Sequence, residues 1–530
     1  HGPSDDDHDN QQVGTEFDDA AEDDGPFGTL LVDARNGFNE LSRKAMLWTV
    51  RHRWPAGARF SFNCYRHSAL LVVRHDESHS CEILRSREGV TQGDPLAMVL
   101  YGLALVPLAE KLRAAVPEAL QPWYADDAAV AGRTGDIAKV MARLQEWGPA
   151  RGYFPEPEKS VFIVRPEDEA DAKALLQDFN FRYKDGSRCV GGFIGSRARL
   201  LEWLEPKIQE WVAAIKILSR IAERFPQNAY TGLVEWTYVQ RVIPNIEDTF
   251  APVEHALKHH FLPALLGETP ANLNELRQLS CLPVKLAGLG IPDPVKSAPG
   301  SFTTSAAVTA ELAESLRNST NLDVGKYVRH ATGILQEERE AKRTALVADL
   351  TAFIDHSTPN DARRLKRTQE TGAWLTALPN TWNDTILSAE EFRDNLRHRF
   401  GLTPLHLPSR CDGCQQRFTV EHALQCKKGG LIHSRHDDVA QEWHELCAKA
   451  LKPANVSDEP AISQARGTQG DRATLPPELR GDVGAHGFWQ RSRTAIFDIR
   501  ITDTDAPSYR NRAPEKVLQS AEREKMLYED

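Results

Sequence analysis

Three aspartates at the ends of apolar runs constrain this sequence more than any other feature. Asp33 follows the run TLLV, and the pair Asp126 and Asp127 interrupts WYADDAAVAG, with apolar residues on both sides. Runs of this kind are typical of buried strands, so we expect one strand to end at Asp33 and two strands to be joined at the acidic pair. Carboxylates at neighbouring strand ends lose hydration and repel one another, and a bound divalent cation relieves both costs.

Two cations held by such carboxylates perform a well-defined chemistry. Metal ions about 3.5 to 4 Å apart activate an attacking hydroxyl and stabilise a leaving group in nucleotidyl transfer. Aspartate pairs also occur in ordinary turns, so a structural role stays open when these three residues are considered alone. The surrounding motifs distinguish the two interpretations.

Five motifs follow one another over residues 30–195, and their order is informative. They read LLVDARNGFN, REGVTQGDPLAMVL, YADD, PEPEKS and VGGFIG. In this order they resemble the palm motifs of the reverse transcriptases of non-LTR retrotransposons. The resemblance implies a right-hand polymerase palm, built as an antiparallel sheet with helices. Residues 191–195 would then form the hairpin that grips the primer, and a helical thumb would follow from Leu201.

The same resemblance implies roles for individual residues. Asp33, Asp126 and Asp127 would hold two Mg²⁺ ions, and Lys159 would be a general acid near the triphosphate. The positions implied to contact nucleotide or template are Phe38, Gln92, Gly93 and Tyr124. A core aromatic is the alternative for Phe38, and a solvated turn is the alternative for Lys159. The implied partners are an RNA template, a DNA primer or target and deoxynucleoside triphosphates.

The start of the sequence departs from that family. Residues 1–25 hold ten acidic residues and no Lys or Arg, which predicts a disordered acidic leader. They account for most of the formal charge of −11, so the acidic total does not exclude a nucleic-acid partner. Only 32 residues precede Asp33, so the basic fingers of reverse transcriptases are predicted to be missing. A chain that begins with His1 also predicts a longer reading frame.

Cysteines cluster with a histidine in CDGCQQRFTVEHALQC, where the spacing is C-x2-C-x7-H-x3-C. Four N/S ligands satisfy tetrahedral Zn²⁺ and leave no open position, so the pattern predicts a structural zinc site. The expected ligands are Cys411, Cys414, His422 and Cys426. His433 or His436 could replace His422. The cluster resembles the CCHC knuckle that precedes a restriction-like endonuclease in some non-LTR elements, where an Arg-His-acid motif follows as Arg435 to Asp437 do here.

Two acidic residues near the end of the sequence look like the core of a PD-(D/E)xK nuclease. Asp482 precedes an expected hairpin and Asp498 lies in the alternating run AIFDIRITD. Such a pair can bind a divalent metal and activate water for phosphodiester hydrolysis. Arg500 stands where that core usually has a lysine, so the resemblance implies that Lys525 supplies it. Glu459 is a further candidate ligand.

These features predict an α+β protein with a small α/β unit at its end. The expected segments are a leader at 1–25, a palm without fingers at 26–198, thumb helices at 199–300, a helical connector at 301–405, a zinc knuckle with its following helix at 406–450, and an endonuclease, complete or truncated, at 451–530. Strands are expected for RFSFNCYR (59–66) among other runs, and a break between helices is expected at 296–305.

The motif order favours an RNA-directed DNA polymerase with an associated DNA endonuclease. Two other functions stay open, namely a non-catalytic nucleic-acid-binding remnant of such an element and an endonuclease that uses the palm as a scaffold. No apolar run approaches 18 residues, so no membrane span is predicted. The resemblance implies an intracellular, nuclear location, and the oligomeric state is left open.

Overall fold

The computed structural model describes residues 25–526 apart from 75–79, 92, 234–235, 319, 370, 384, 429–430, 462–479, 505, 507 and 510. The fold is mixed α and β with several small sheets, which confirms the predicted class at that level. The chain divides into two compact units. The first comprises His1–Ala213, Val234–Glu254 and Pro294–Glu340, and the second comprises Ala214–Leu233, His255–Asp293 and Ala341–Asp530.

Strands and helices alternate in the first part of the chain. They are β1 (Phe27–Val32), α1 (Gly37–Glu40), α2 (Arg43–Arg53), α3 (Pro55–Tyr65), β2 (Ala69–Arg74), β3 (Cys81–Ser86), α4 (Ala97–Ala115), β4 (Trp123–Tyr124), β5 (Asp127–Arg133), α5 (Thr134–Trp147), β6 (Val161–Ile163), α6 (Glu169–Leu175), β7 (Arg182–Lys184), β8 (Gly186–Cys189), β9 (Gly192–Gly195) and α7 (Arg197–Ala222).

Helices dominate the remainder, and a small sheet lies near its end. The elements are α8 (Pro226–Thr231), α9 (Thr237–Val242), α10 (Ala251–Ala256), α11 (Leu262–Leu266), α12 (Leu273–Cys281), α13 (Pro294–Arg317), α14 (Val324–His356), α15 (Pro359–Thr368), α16 (Ala373–Thr376), α17 (Ala389–Arg399), α18 (Val420–Gln425), α19 (Leu431–Leu451), β10 (Val456–Asp458), β11 (Val483–His486), β12 (Thr494–Phe497) and α20 (Pro514–Met526). None of the helices in the described ranges has the length and hydropathy needed to cross a bilayer.

A five-stranded sheet organises the first unit. Its strand order is β4-β5-β1-β6-β7, with β1 antiparallel to both β5 and β6. Leu30 and Val32 of β1 and Ala128 and Val130 of β5 are buried at alternate positions, as expected for strands with one covered face. They share one core with apolar residues of α2, α4 and α5. Burying each large apolar side chain contributes roughly 1.5 to 3 kcal/mol to this arrangement.

The predicted strand at 59–66 is wrong, because residues 59–65 belong to α3 and Arg66 caps its C-terminus. The buried positions of α3 are Gly57, Ser61 and Tyr65, which are spaced by four residues and therefore share one face of a helix. Pro55 stands in the first turn, where its missing N–H costs no hydrogen bond. The alternating aromatic residues that indicated a strand are exposed: Phe60 and Phe62 are 60% and 49% accessible.

The predicted break at 296–305 is also wrong, because the segment is continuous within α13. Hydroxyl side chains in this polar stretch bond to backbone carbonyls one turn earlier. Ser301 Oγ donates to the Ser297 carbonyl at 2.8 Å, and Thr303 Oγ1 donates to the Pro299 carbonyl at 3.1 Å. The helix therefore satisfies its polar groups internally.

Two buried arginines tie helical segments of the second unit together. Arg397 donates to the Leu266 carbonyl at 3.1 Å and to Glu268 at 2.6 Å. Arg399 donates to the carbonyls of Thr368 and Val284. Both arginines are 4% exposed, so their guanidinium groups satisfy carbonyls that would otherwise be buried without partners.

A close backbone approach gives a stability test for the first unit. Gly152 has φ 77°, and a Cβ there would lie 2.0 Å from the Glu40 carbonyl oxygen. We expect Gly152→Ala to lower the free energy of unfolding by roughly 2 to 5 kcal/mol, through the left-handed backbone and the overlap. Urea denaturation followed by circular dichroism measures the change.

Gly102 supplies the matched control. It lies within α4, and a Cβ there would meet no atom within 4 Å. Gly102→Ala should raise the free energy of unfolding by up to about 1 kcal/mol, because alanine favours the helix. Equal effects of the two substitutions would contradict the packing described for Gly152.

Candidate active site and metal centre

Two of the predicted catalytic aspartates lie at one end of the five-stranded sheet. Val32, the last residue of β1, is opposite Ala128 of β5. Asp33 follows Val32 and Asp127 precedes Ala128, so the two aspartates lie next to each other at the ends of adjacent antiparallel strands. The strand ends expected from the sequence are thus placed side by side by the register.

Asp126 reaches the same edge through a tight hairpin between β4 and β5. Tyr124 pairs with Asp127, so Ala125 and Asp126 form a two-residue loop. Ala125 has φ 54°, a left-handed value typical of such loops. The side chain of Tyr124 is 59% exposed at this edge. A residue predicted to contact nucleotide is therefore accessible beside the aspartates.

Electrostatic repulsion links the three carboxylates. Burial raises the pKa of Asp127 above its ordinary value, the charges of Asp126 and Asp33 raise it further, and Arg188 lowers it. Each carboxylate thus makes ionisation of Asp127 less favourable. A bound divalent cation would reverse that effect, and carboxylate oxygens are the ligands that Mg²⁺ prefers. The donor set therefore fits the predicted metal.

The backbone of Asp33 is held by the segment that carries Lys159. The Asp33 N–H donates to Ser160 Oγ at 3.1 Å, and the Glu156 N–H donates to the Asp33 carbonyl at 2.8 Å. Lys159 Nζ lies 2.6 Å from Glu156 Oε2. The hydrogen bond and charge of Glu156 raise the pKa of Lys159, and the charge of Asp33 adds to this. An exposed ammonium therefore stands close to the first aspartate.

Buried tyrosines surround Asp126. The Tyr153 hydroxyl donates to the Asp126 carbonyl at 3.2 Å. A Cβ on Gly37 would lie 2.7 Å from the Tyr101 hydroxyl oxygen and 2.9 Å from Asp126 Cβ, so glycine is required there. Phe38 stacks on Tyr101 with ring centroids 4.6 Å apart. The orientation of Phe38, predicted to contact nucleotide, is thus fixed by a ring beside the acidic cluster.

No sequence pattern predicted a role for Tyr101 or Tyr153 beside the aspartates. Burial raises the pKa of Tyr101, and the charges of Asp126 and Asp127 raise it further. Tyr153 is affected in the same way, with burial as the largest cause. Both phenols therefore remain neutral beside the carboxylates. For Tyr101, the sequence signal was a hydroxyl-bearing residue within the apolar run AMVLYGLAL.

The loop before α4 carries the predicted template contacts. Gln92 lies outside the described residues. Gly93 has φ 92° and open space where a Cβ would stand. Asp94 accepts hydrogen bonds from the Leu96 N–H, at 2.9 Å, and from the Tyr65 hydroxyl. Asp94 therefore shapes the loop.

The β8–β9 hairpin faces the same acidic cluster. Arg188 in β8 lowers the pKa of Asp127, whereas burial and then the charge of Asp127 raise the pKa of Cys189. The Tyr238 hydroxyl donates to the Val190 carbonyl in the hairpin turn at 2.7 Å. The hairpin expected at 191–195 therefore lies close to the aspartates.

The four predicted zinc ligands come together in the second unit. The Cys411 and Cys426 sulfurs are 3.7 Å apart, and Cys414 Sγ is 3.2 Å from His422 Nε2. All four ligand atoms lie within 4.8 Å of one another, so the group could hold one zinc ion. Within the described ranges no second group of His, Cys, Asp or Glu is gathered as tightly.

Local backbone structure pre-forms this zinc cluster. The Cys414 backbone N–H lowers the pKa of the Cys411 thiol, and His422 lowers it further. Thr419 caps α18 by accepting from the His422 N–H at 3.0 Å. The Cys426 N–H donates to the His422 carbonyl at 2.8 Å, which keeps these two ligands one helical turn apart.

The predicted nuclease acids lie at one end of the small sheet. Val483 of β11 is opposite Phe497 of β12, so Asp482 and Asp498 flank the same residue pair. His436 of α19 approaches this edge, with Nε2 3.4 Å from Asp482 Oδ1. The sequence indicated His436 as a substitute zinc ligand and as the histidine of an Arg-His-acid motif, and its position beside Asp482 was not predicted.

Opposing effects act on the pKa of His436. Burial lowers it, whereas hydrogen bonding to Asp437 and the charge of Asp482 raise it, and the net direction is upward. His436 Nε2 also lies 3.2 Å from the Ile499 carbonyl oxygen. The ring is therefore held between two acids and a strand-end carbonyl.

The described side chains of the other residues predicted for the nuclease site make contacts away from Asp482 and Asp498. Arg500 lies 3.0 Å from Glu524 near the end of α20. Lys525 is the next residue of that helix, and its side chain is outside the described part. Glu459 Oε2 lies 3.8 Å from the Arg480 guanidinium. Arg500 thus occupies an ion pair with α20.

Telomerase is among the solved structures to which this chain is weakly similar. No family model and no curated protein matches this sequence. Telomerase from Candida albicans, in complex with a TWJ fragment of telomeric RNA, is 10% identical with a TM-score of 0.31. The match covers 67% of this chain and 52% of that chain, so this chain spans about half the length of that telomerase. A similarity this weak shows nothing about the function of this chain.

Zinc content tests the metal centre. We expect the purified protein to contain one zinc per chain and Cys411→Ser to lose it, because three ligands hold a tetrahedral ion less tightly than four. Plasma emission spectrometry of dialysed protein measures the content. Cys64→Ser, which changes an exposed cysteine of the first unit, should retain the zinc. Equal zinc in both variants would contradict the ligand assignment.

Proposed function

We propose that this protein is an RNA-directed DNA polymerase of the non-LTR retrotransposon type. The observation that carries the proposal is the convergence of Asp33, Asp126 and Asp127 at one sheet edge, where their charges oppose one another. The order of the five motifs, given above as a resemblance, supports the same function. The proposed partners are an RNA template, a DNA primer or target and deoxynucleoside triphosphates, and the proposed location is nuclear.

The three aspartates would hold two Mg²⁺ ions. When bound, these ions would activate the primer hydroxyl and stabilise the leaving pyrophosphate. The chain contributes pre-organisation: Ser160 and Glu156 fix the backbone of Asp33, while the two-residue loop fixes Asp126. Ligands held in place by backbone contacts need little rearrangement when substrates bind.

Lys159 would interact with the triphosphate through its charge. Its pKa is raised by Glu156 first, so the ammonium stays protonated at neutral pH. A group that holds its proton firmly is a weak acid, which favours charge stabilisation over proton donation. Phe38, stacked on Tyr101, would form one wall of the nucleotide site.

A second activity, DNA endonuclease, is proposed for the small sheet. The observation that favours it is the placement of Asp482 and Asp498 at the ends of adjacent strands, with His436 beside Asp482. Such acids can bind a divalent cation and activate water. Polymerase and nuclease would then act on the same target, the nuclease exposing the hydroxyl that the polymerase extends.

Primer extension on an RNA template tests the polymerase. We expect the wild-type protein to extend a DNA primer only with Mg²⁺ or Mn²⁺. Asp126→Asn combined with Asp127→Asn should lower the rate roughly a thousandfold or more, because metal clamping supplies several kcal/mol of transition-state stabilisation. Gel analysis of labelled primer measures the rate.

Asp178→Asn is the matched control, because Asp178 is an exposed acid of the same unit. It should leave the extension rate unchanged. If the wild-type protein shows no metal-dependent extension, the polymerase proposal fails and a non-catalytic nucleic-acid-binding role is favoured.

Plasmid nicking tests the endonuclease separately. We expect Mg²⁺-dependent conversion of supercoiled to open-circular DNA, and Asp498→Ala should lower its rate at least a hundredfold through loss of a metal ligand. Asp349→Ala, on the exposed surface of α14, serves as the control. Nicking that persists in Asp498→Ala would remove this residue from the mechanism.

A further inference from the structure

A basic pocket lies on the first unit between α2, α3 and the strand β3. Its volume is about 750 Å³, and its lining includes Leu47, Phe62 and Tyr65. The basic residues that line it are Arg43, Lys44, Arg66, His67, Arg85 and Arg87. No aspartate or glutamate is among the lining residues. The pocket therefore concentrates positive charge, which favours an anionic ligand.

Arg43 forms the buried part of this pocket. Its side chain is 6% exposed and donates to the carbonyls of Gly89, at 2.8 Å, and Ser86, at 3.0 Å. These acceptors are neutral, so they orient the guanidinium without cancelling its charge. Glu88 is the nearest acid with a described contact, and it accepts from the backbone N–H of Arg43 at 2.8 Å.

The lysine and the three further arginines of the lining are exposed. No ion pair is found for Lys44, Arg66, Arg85 or Arg87 within the described residues. An ordinary solvated surface usually intersperses both signs of charge, and ion pairs occur elsewhere in this unit, as between Arg53 and Glu110. Within the described part of this unit, the charge of these four side chains is therefore available to an anionic ligand.

Aromatic rings distinguish the kind of anion. Phe62 is 49% exposed, and the Arg66 guanidinium lies over its ring at 5.7 Å. A groove with cations for phosphates and aromatic rings for bases is typical of single-stranded nucleic-acid sites. A free inorganic anion would make no use of the rings.

The pocket is connected to the loop before α4. Tyr65 lines the pocket, and its hydroxyl donates to Asp94 and accepts from the Thr91 N–H at 3.3 Å. The Val90 N–H, next along the same segment, donates to the Phe38 carbonyl at 2.8 Å. One continuous backbone segment therefore joins the basic pocket to the residues beside the aspartates.

We propose that this pocket binds the phosphate backbone of a single-stranded nucleic acid, with a base on Phe62. Lys44, Arg66, Arg85 and Arg87 contact successive phosphates, and Arg43 supplies the fixed charge at the base of the site. The identity of the strand as the template rests on the proposed function. Binding itself requires neither metal nor catalysis.

Fluorescence anisotropy in EDTA tests the proposal. The probes are a fluorescein-labelled 20-nucleotide RNA and the same sequence as DNA, titrated with the full chain at several salt concentrations. Arg85→Ala combined with Arg87→Ala should weaken binding at least tenfold and lower the slope of log affinity against log salt by about 1.4, because two single-strand phosphate contacts are lost. Arg66→Ala, on a different element, should weaken binding in the same direction.

Arg113→Ala combined with Arg165→Ala is the matched control, since both are exposed arginines of the same unit outside the pocket. It should leave affinity within twofold of the wild type. Unchanged affinity in the Arg85 and Arg87 variant, with its thermal melt also unchanged, would overturn the proposal. Full competition by a nucleoside triphosphate at equal phosphate concentration would overturn the assignment to a strand.

The outcome is separable from that of the polymerase proposal. Asp126→Asn combined with Asp127→Asn should bind the oligonucleotides in EDTA as the wild type does. Binding that is retained while extension is absent would support the pocket and refute the polymerase. Primer extension by the wild type, together with unchanged oligonucleotide binding by the pocket variants, would support the polymerase and refute the pocket.

Discussion

Repulsion among carboxylates at the shared end of β1 and β5 is the constraint on which the first unit depends. The sheet register places Asp33 beside Asp127, and the two-residue hairpin adds Asp126. Hydrogen bonds with Ser160 and Glu156 hold the backbone of Asp33 in place, and the charge of Arg188 offsets part of the repulsion on Asp127. Such repulsion favours the binding of a cation at this edge, which is the basis of the proposed metal site.

The parts of this site that sequence reasoning predicted are those with a local signal. Apolar runs indicated where the strands end, and hence where Asp33 and Asp127 lie. Tyr101 was missed because its role comes from tertiary contact with Gly37 and Asp126, which no local pattern encodes. The helix α3 was mistaken for a strand because exposed aromatics at alternate positions imitate a strand, while the small residues that pack inward have helical spacing.

The second unit also contains residues that a local pattern predicts and residues that only tertiary contacts place. The spacing of the cysteines predicted the zinc cluster, since a C-x2-C turn and a helical His-x3-Cys pair are both local structures. His436 could not be placed in the same way, because its approach to Asp482 depends on how α19 meets the sheet. Trp443 of the same helix packs on Phe497 with ring centroids 5.2 Å apart. The helix after the zinc ligands therefore positions a histidine at the strand ends.

Metal binding to the first unit tests the central claim most directly. Mn²⁺ titration followed by electron paramagnetic resonance reports bound metal without any substrate, and a lack of activity cannot confuse the result. Asp126→Asn combined with Asp127→Asn should lower the number of Mn²⁺ ions bound per chain below that of the wild type and Asp178→Asn, because carboxylate oxygens supply the ligands at this edge. Mn²⁺ bound at Asp482 and Asp498 should be unaffected and be equal in all three proteins. Identical Mn²⁺ binding by all three proteins would contradict the assignment of this edge as a catalytic metal site.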